Sequence, residues 1–322
     1  MTGREADQVS QFECSRAHQA PAPESVRRML RWAWAASKQV DPDLKMRVKF
    51  VMAALRQPSL SRRLASAEPG SPLAELLTEC PETIGAMVWP YQCAAWDAET
   101  RFDRISEHVV AVRKTPGLAL ALDDKLVLAD LSAISSAATL IIDRAPWFAR
   151  EGHLTLSLFK DDFRAFSVAF SLSADPEPVL FIGGLQGRRT DEVLALYRDL
   201  TKDFQGMRPR DLLLEALRLF AKKIGVRHIY AVADEAKISR HKYFAGKETG
   251  GLNYDEAWLD RGAARVAATH FELPIGGSRR LLEEVPAKKR SMYRRRYEML
   301  DAIEAALPSD LRTAERRHFD AK

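Results

Sequence analysis

The chain has 322 residues, 46% hydrophobic and 29% charged, enough apolar material for about two domains, which excludes a wholly disordered protein. Lys plus Arg number 49 against 44 Asp plus Glu, a net charge of +5, so the place of the excess matters more than its size. Three sparse cysteines, Cys14, Cys80 and Cys93, with no Cys-x-x-Cys pair, argue against a disulfide scaffold or a zinc site and suit a reducing compartment.

The first residues are polar and acidic, without the basic–apolar–small order of a secretory signal. No apolar run reaches the roughly 18–20 residues that cross a bilayer. The expected location is cytoplasmic, or peripheral at the inner membrane. Residues 1–23 read as a flexible N-terminus. Residues 24–39 read as a helix. Asp41 and Pro42 supply an N-cap and a first helical position for a second helix that ends near Gln57-Pro58. A Pro/Gly/Ser linker spans 66–72. A helix over 94–113 has Phe102, Ile105, Val109 and Val112 on one stripe. The domain reading is a helical region over 24–115, an α+β domain over 116–308 and a flexible tail over 309–322.

After Pro116-Gly117, residues 125–131 and 139–143 suggest short strands. Residues 153–159 and 163–172 alternate in hydrophobicity, and 179–185 form a near-continuous apolar run. The three read as an antiparallel meander. Helices follow over 190–204 and 209–224, the second opened by Pro209 and closed by Gly225. A strand over 228–233, a short helix over 254–260, a strand over 264–273 and a helix over 287–307 complete the pattern. The expected fold class is α+β: an N-terminal helical region, then a mixed, largely antiparallel sheet flanked by helices.

Three constellations carry candidate chemistry. Gln186, Gly187, Gly206, Arg208 and Arg210 lie at two strand–helix and helix–helix junctions where glycine, free amides, a helix start and arginines suit a phosphate. Ordinary turn glycines and solvated arginines are the plain alternative. His241, Tyr243, Tyr254 and Asp255 sit between a strand and a helix and supply acid, base and hydrogen-bonding types. A polar loop capping the next helix explains them equally well. No metal-ligand or nucleophile-elbow spacing is present. Lys288, Lys289, Arg290, Arg294, Arg295 and Arg296 belong to a stretch, 279–297, with eight basic side chains and two acids, so the positive field is local. It suits anionic lipid or another anionic partner. The lack of any zinc-finger or RNP pattern argues against nucleic acid. His153 and His228 read as packing residues.

The order meander, helix, strand, helix, strand is similar to that of acyl-coenzyme-A transferases of the GNAT type, where the loop after the fourth strand cradles pyrophosphate. It implies a GNAT-like arrangement and an acyl-CoA or acyl-carrier-protein co-substrate, with no tightly bound cofactor. Gly206, Arg208 and Arg210 would hold the donor phosphate. His241 or Asp255 would be the base, and Tyr243 or Tyr254 the acid.

A second resemblance rests on longer segments. These are Trp89-Pro90-Tyr91 with Trp96, Arg101, Ile105 and His108; Gly184-Leu185-Gln186-Gly187; Gly206-Met207-Arg208-Pro209-Arg210; Lys242-Tyr243-Phe244; Asn253-Tyr254-Asp255; and the run from Lys289 to Asp301. With them, over about residues 25–305, the chain resembles the bacterial VirK/YbjX family, a domain of unknown function. Val109 departs from the aromatic residue expected after His108. The resemblance implies an envelope-related role, touching virulence, surface-protein localisation and antimicrobial-peptide tolerance, and it assigns no catalytic residue. The alternative to an acyltransferase is a non-catalytic factor that binds the inner membrane face or an envelope client through the basic helix.

Overall fold

The computed structural model describes residues 23–40, 43–174, 176–188, 190–245, 252–277 and 279–318. The chain divides into two compact units, Met1–Ser66 and Ala67–Lys322. The boundary falls within the expected helical region, at the start of the Pro/Gly/Ser linker.

The first unit holds three helices, α1 (Pro23–Ala36), α2 (Leu44–Arg56) and α3 (Pro58–Ala65). The cap of α2 is Asp43, whose carboxylate accepts from Lys45 N at 3.1 Å. Asp41 and Pro42, expected in that role, lie outside the described residues. Pro58 ends one helix and opens the next, because it lacks the N–H that a continuing helix needs. Ala33, Phe50, Ala54, Leu60 and Leu64 are buried.

The second unit begins with α4 (Pro72–Glu79), a 3-10 stretch (Pro81–Met87) and α5 (Ala98–Lys114). Ser71 and Asp97 cap the two helices through Ala74 N and Thr100 N. The strands are β1 (Asp124–Asp130), β2 (Ala138–Asp143), β3 (Leu154–Lys160), β4 (Phe163–Ser173) and β5 (Val179–Gly187). Helices α6 (Asp191–Asp203) and α7 (Pro209–Lys223) lead to β6 (His228–Val232). Then come α8 (Tyr254–Leu259), β7 (Ala264–Ala267), β8 (His270–Leu273), α9 (Ala287–Ala306) and β9 (Arg316–His318).

All nine strands join one sheet in the order β7-β8-β6-β5-β4-β3-β2-β1-β9. Among the described residues β5 and β6 are the one parallel pair, as the α6–α7 crossover between them requires. The expected meander is β3–β4–β5, each neighbour antiparallel. Its apolar face carries Leu154, Leu156, Leu158, Val168 and Phe170, all buried. Helix α7 covers that face, with Phe220 edge-on to Phe170 at 6.2 Å. The polar face is buried too, and Ser157 and Ser167 satisfy each other at 2.9 Å.

Two expectations are corrected. The strand over 264–273 is a hairpin, broken at 268–269 so that β7 folds back on β8. The tail beyond Pro308, expected to be loose, turns back and adds β9 to the edge of β1, where Arg316 reaches Asp124 at 2.9 Å. No helix among the described residues is long and apolar enough to cross a membrane.

Candidate functional site

Strand β5 outlasts its parallel neighbour. Pairing runs from Val179–His228 to Ile182–Ala231, and β5 continues to Gly187 after β6 has ended at Val232. Backbone groups left without a strand partner must bond elsewhere. Tyr254, the first residue of α8, meets this need: its hydroxyl accepts from Leu185 N at 2.9 Å and donates to Leu185 O at 3.1 Å. Fully buried Trp258 supports the Tyr254 ring at 5.6 Å and donates through Nε1 to Val232 O at 2.8 Å. From elsewhere in the chain Gln92 donates to Phe181 O at 3.1 Å.

Glu151 closes over the same stretch. A Cβ on Gly183 would sit 2.0 Å from the Glu151 carbonyl oxygen, and one on Gly184 would meet Glu151 Cβ and Cγ at 2.7 Å. The two glycines are what let this backbone approach β5. Burial pushes the Glu151 carboxyl up to about 8, opposed by a hydrogen bond from its own backbone N–H and then by the Arg150 charge. Burial also raises the Tyr254 hydroxyl above its ordinary range, helped by the Glu151 and Asp234 charges. A carboxyl that ionises near neutrality therefore stands close to a phenol that stays protonated. Nothing in the local sequence marked Glu151; the signal available was a charged Arg150-Glu151 pair within a mostly apolar stretch.

The structure divides the second expected constellation into two neighbouring groups. Tyr254 and Asp255 meet through Asp234, which follows β6. Asp255 accepts from Asp234 N at 2.7 Å, while Asp234 accepts from Tyr254 N at 3.2 Å, Lys237 Nζ at 2.8 Å and Arg240 Nη2 at 3.0 Å. Arg265 also approaches Asp255 at 3.5 Å. Asp255 thus ties the start of α8 to the residue that follows β6. Asn253 caps α8 as a polar loop residue should.

His241 and Tyr243 form the other group. His241 Nδ1 accepts from Tyr243 N, and its Nε2 lies 3.5 Å from Arg101 Nη2. Burial, then the Arg101 charge, holds its imidazole below the ordinary value. Arg101, buried in α5, donates to Ala86 O and Trp89 O. Tyr243 and Trp89 flank the Arg150 guanidinium at 5.1 and 4.5 Å. Adjacent Arg150 and Glu151 therefore belong one to each group. Gly246, Lys247 and Glu248 of the same loop lie outside the described residues.

The expected phosphate seat changes character. Gly206, at φ +75°, ends α6 rather than starting α7: its N–H donates to Thr201 O at 2.8 Å and is not free for an anion. Arg210 is buried and bound to Asp211 at 2.9 Å and Asp260 at 3.2 Å. Gln186 is exposed, and Gly187 packs where a Cβ would strike Phe166 and the Tyr197 hydroxyl. Asp191 and Glu192 in the first turn of α6 would repel an anion there. Arg208 is exposed at the start of α7 and, with Arg198, borders a hollow of about 500 Å³ walled by Phe166, Leu194, Tyr197, Pro209 and Leu252. Neither arginine has an ion pair among the described residues. Side chains, not helix amides, are what this junction offers an anion.

On α9, Lys288, Lys289, Arg294 and Arg295 are exposed without an ion pair among the described residues. Arg290 donates to Val285 O and Glu283 O. Arg296 donates to Gln205 O at 2.9 Å, under the Tyr293 ring. The last two therefore hold α9 in place, and the first four face outward.

The family model described as a protein of unknown function, DUF535, matches residues 41–309. The chain is similar to the uncharacterised protein YbjX of Escherichia coli (strain K12), 30% identical over 284 residues that span 83% of each chain. An uncharacterised protein of Haemophilus influenzae is 29% identical over 163 residues, 48% of this chain and 51% of its own length. No solved structure matches. With a family match across 41–309 and a relative covered over most of its length, the chain belongs to the DUF535, or VirK/YbjX, family.

Proposed function

We propose that this protein is an acyltransferase of GNAT-like arrangement, moving an acyl group from a coenzyme A or acyl-carrier-protein thioester to an amine at the inner face of the envelope. One observation carries the reading. Beside the end of β5, where pairing with β6 has stopped, an apolar hollow opens with Arg198 and Arg208 at its border. Aliphatic and aromatic walls suit an acyl-pantetheine arm, and unpaired guanidinium groups suit its phosphates. The strand order, with its parallel pair after the meander, agrees with the same reading.

In this mechanism the Glu151 carboxylate takes a proton from the acceptor ammonium. The freed amine attacks the thioester carbonyl, forming the C–N bond. The C–S bond then breaks, the departing sulfur takes a proton from the Tyr254 hydroxyl, the new amide nitrogen returns its second proton to the Tyr254 phenolate, and Glu151 releases its own to solvent. Glu151 replaces His241 and Asp255 as the base, because burial lifts its carboxyl into the range where an acceptor ammonium can give up a proton, whereas Asp255 is bound by Asp234 N and Arg265. Lys288, Lys289, Arg294 and Arg295 hold the anionic carrier or lipid acceptor. The protein works from the cytoplasm, at most peripherally on the membrane.

Calorimetric titration with octanoyl-CoA tests the donor site. The wild type is expected to bind, and Arg198→Glu/Arg208→Glu to bind at least about tenfold more weakly, as loss and reversal of two charges near a phosphate implies. A folded wild type that ignores octanoyl-CoA contradicts the proposal. If that chain still sediments with anionic vesicles in a salt-sensitive way, the non-catalytic reading through α9 replaces it.

A further inference from the structure

A separate hollow of about 280 Å³ lies between α4, α5 and the start of β3, and shares no lining residue with the one at Arg208. Two histidines line it. His108, 5% exposed, accepts the Leu172 N–H on Nδ1 at 3.1 Å. A ring nitrogen that accepts has no proton, so neutral His108 carries its proton on Nε2.

His153 reaches the same state by a longer route. Its Nδ1 lies 2.6 Å from the Tyr91 hydroxyl, and that hydroxyl lies 2.6 Å from Ser171 Oγ. Ser171 Oγ also accepts from His153 N at 3.3 Å. Each hydroxyl proton finds an acceptor within this group if Ser171 donates to Tyr91 and Tyr91 donates to His153 Nδ1. The His153 proton then also sits on Nε2. The two rings stack at 5.2 Å and 20°. Burial holds His153 down to about 3 and His108 well below its ordinary value, so both stay neutral.

Both Nδ1 atoms are occupied by protein, and neither Nε2–H has an acceptor among the described residues. Both histidines line the one hollow, which therefore offers an anion imidazole N–H groups that have no acceptor among the described residues. Arg144 also lines it, holding Glu79 at 2.7 Å and Leu120 O at 3.1 Å and adding positive potential. Leu76, Val112, Leu118 and Leu154 supply apolar wall. Glu75 and Glu79, although paired to Arg113 and Arg144, oppose a dianion. A metal ion on His108 Nε2 would need an imidazolate, since a backbone N–H already occupies Nδ1.

We propose that this hollow binds a short aliphatic monocarboxylic acid, its carboxylate taken by the His108 and His153 Nε2–H groups and its chain by the leucine–valine wall. The volume is near the lower end, ~300 Å³, of small-molecule pockets, which limits the chain to a few carbons.

Saturation-transfer NMR on the full chain, with hexanoate, n-hexanol and inorganic phosphate as probes, tests the assignment. Hexanoate is expected to bind at least tenfold more tightly than hexanol or phosphate. His108→Leu is expected to abolish binding. His108→Gln, whose amide oxygen can accept from Leu172 N while its NH₂ faces the hollow, is expected to retain part of it. Val112→Phe, which fills the space without touching the donors, is expected to block hexanoate if His108→Leu does not fold. The proposal is overturned by a folded wild type that does not bind hexanoate, by equal binding of hexanol or phosphate, or by unchanged binding in Val112→Phe.

Discussion

Replacing Glu151 by glutamine is expected to stabilise the protein while stopping acyl transfer. The carboxyl rises from an ordinary 4.5 to about 8 on folding. Between those values the folded chain still holds a proton that the unfolded chain has released. Stability therefore falls as pH rises through this window and levels off above about 8. At ~1.4 kcal/mol per tenfold change in proton affinity, the penalty reaches on the order of 5 kcal/mol. Glutamine is close in shape and carries no such penalty. The gain in urea-unfolding stability of Glu151→Gln over the wild type should thus be near zero at about pH 4.5 and largest above about 8. Transfer should drop by at least ~100-fold, the lower end of general-base contributions. In the wild type, transfer should rise with pH through about 8, as the carboxylate forms. A stability difference that does not change with pH would show that Glu151 is not desolvated in the folded chain.

Trp258→Ala is expected to give the largest loss of stability. Trp258 is fully buried, packs on Tyr254 at 5.6 Å and donates to Val232 O at 2.8 Å. Truncation removes an aromatic side chain from a closed site, about 4 kcal/mol, and leaves the Val232 carbonyl without its donor, about 1 kcal/mol more. Trp258→Phe keeps most of the volume and should cost about 2 kcal/mol. Urea unfolding followed by circular dichroism measures both. Because Trp258 backs the ring whose hydroxyl holds both backbone groups of Leu185, the alanine variant should also speed hydrogen exchange at Leu185 N. Fast exchange there with an unchanged unfolding midpoint would mean that Tyr254, not Trp258, bears the load.

The parts of the fold that could be read from sequence are those where a local pattern and the tertiary environment agree. The alternation in β3 and β4 and the apolar run in β5 named the meander, and Pro209 and Gly225 bounded α7. The β7–β8 hairpin was missed because its turn, Ala268-Thr269, contains no glycine, proline or asparagine. Strand β9 was missed because three basic residues at a sheet edge carry no apolar face. Gly206 was read as a helix start although its positive φ closes α6. A glycine between two helices serves either end, and only the bond to Thr201 O decides.

The site was legible in its residues more than in their roles. Tyr254 lies between a strand and a helix in sequence, but its grip on Leu185, 69 positions earlier, has no local signature. Glu151 gains its character from Gly183 and Gly184, which lie in a different strand. His153 does pack, as read, yet its partner Tyr91 is 62 residues away, and the free edge of the ring depends on that bond.

Photo-crosslinking with a diazirine-tagged acyl-CoA, followed by peptide mapping of the full chain, tests the central claim most directly. Label on peptides holding Phe166, Leu194 or Leu252, competed away by octanoyl-CoA, is the predicted result. Label confined to α9, or spread over the surface without competition, would contradict a donor site at the end of β5.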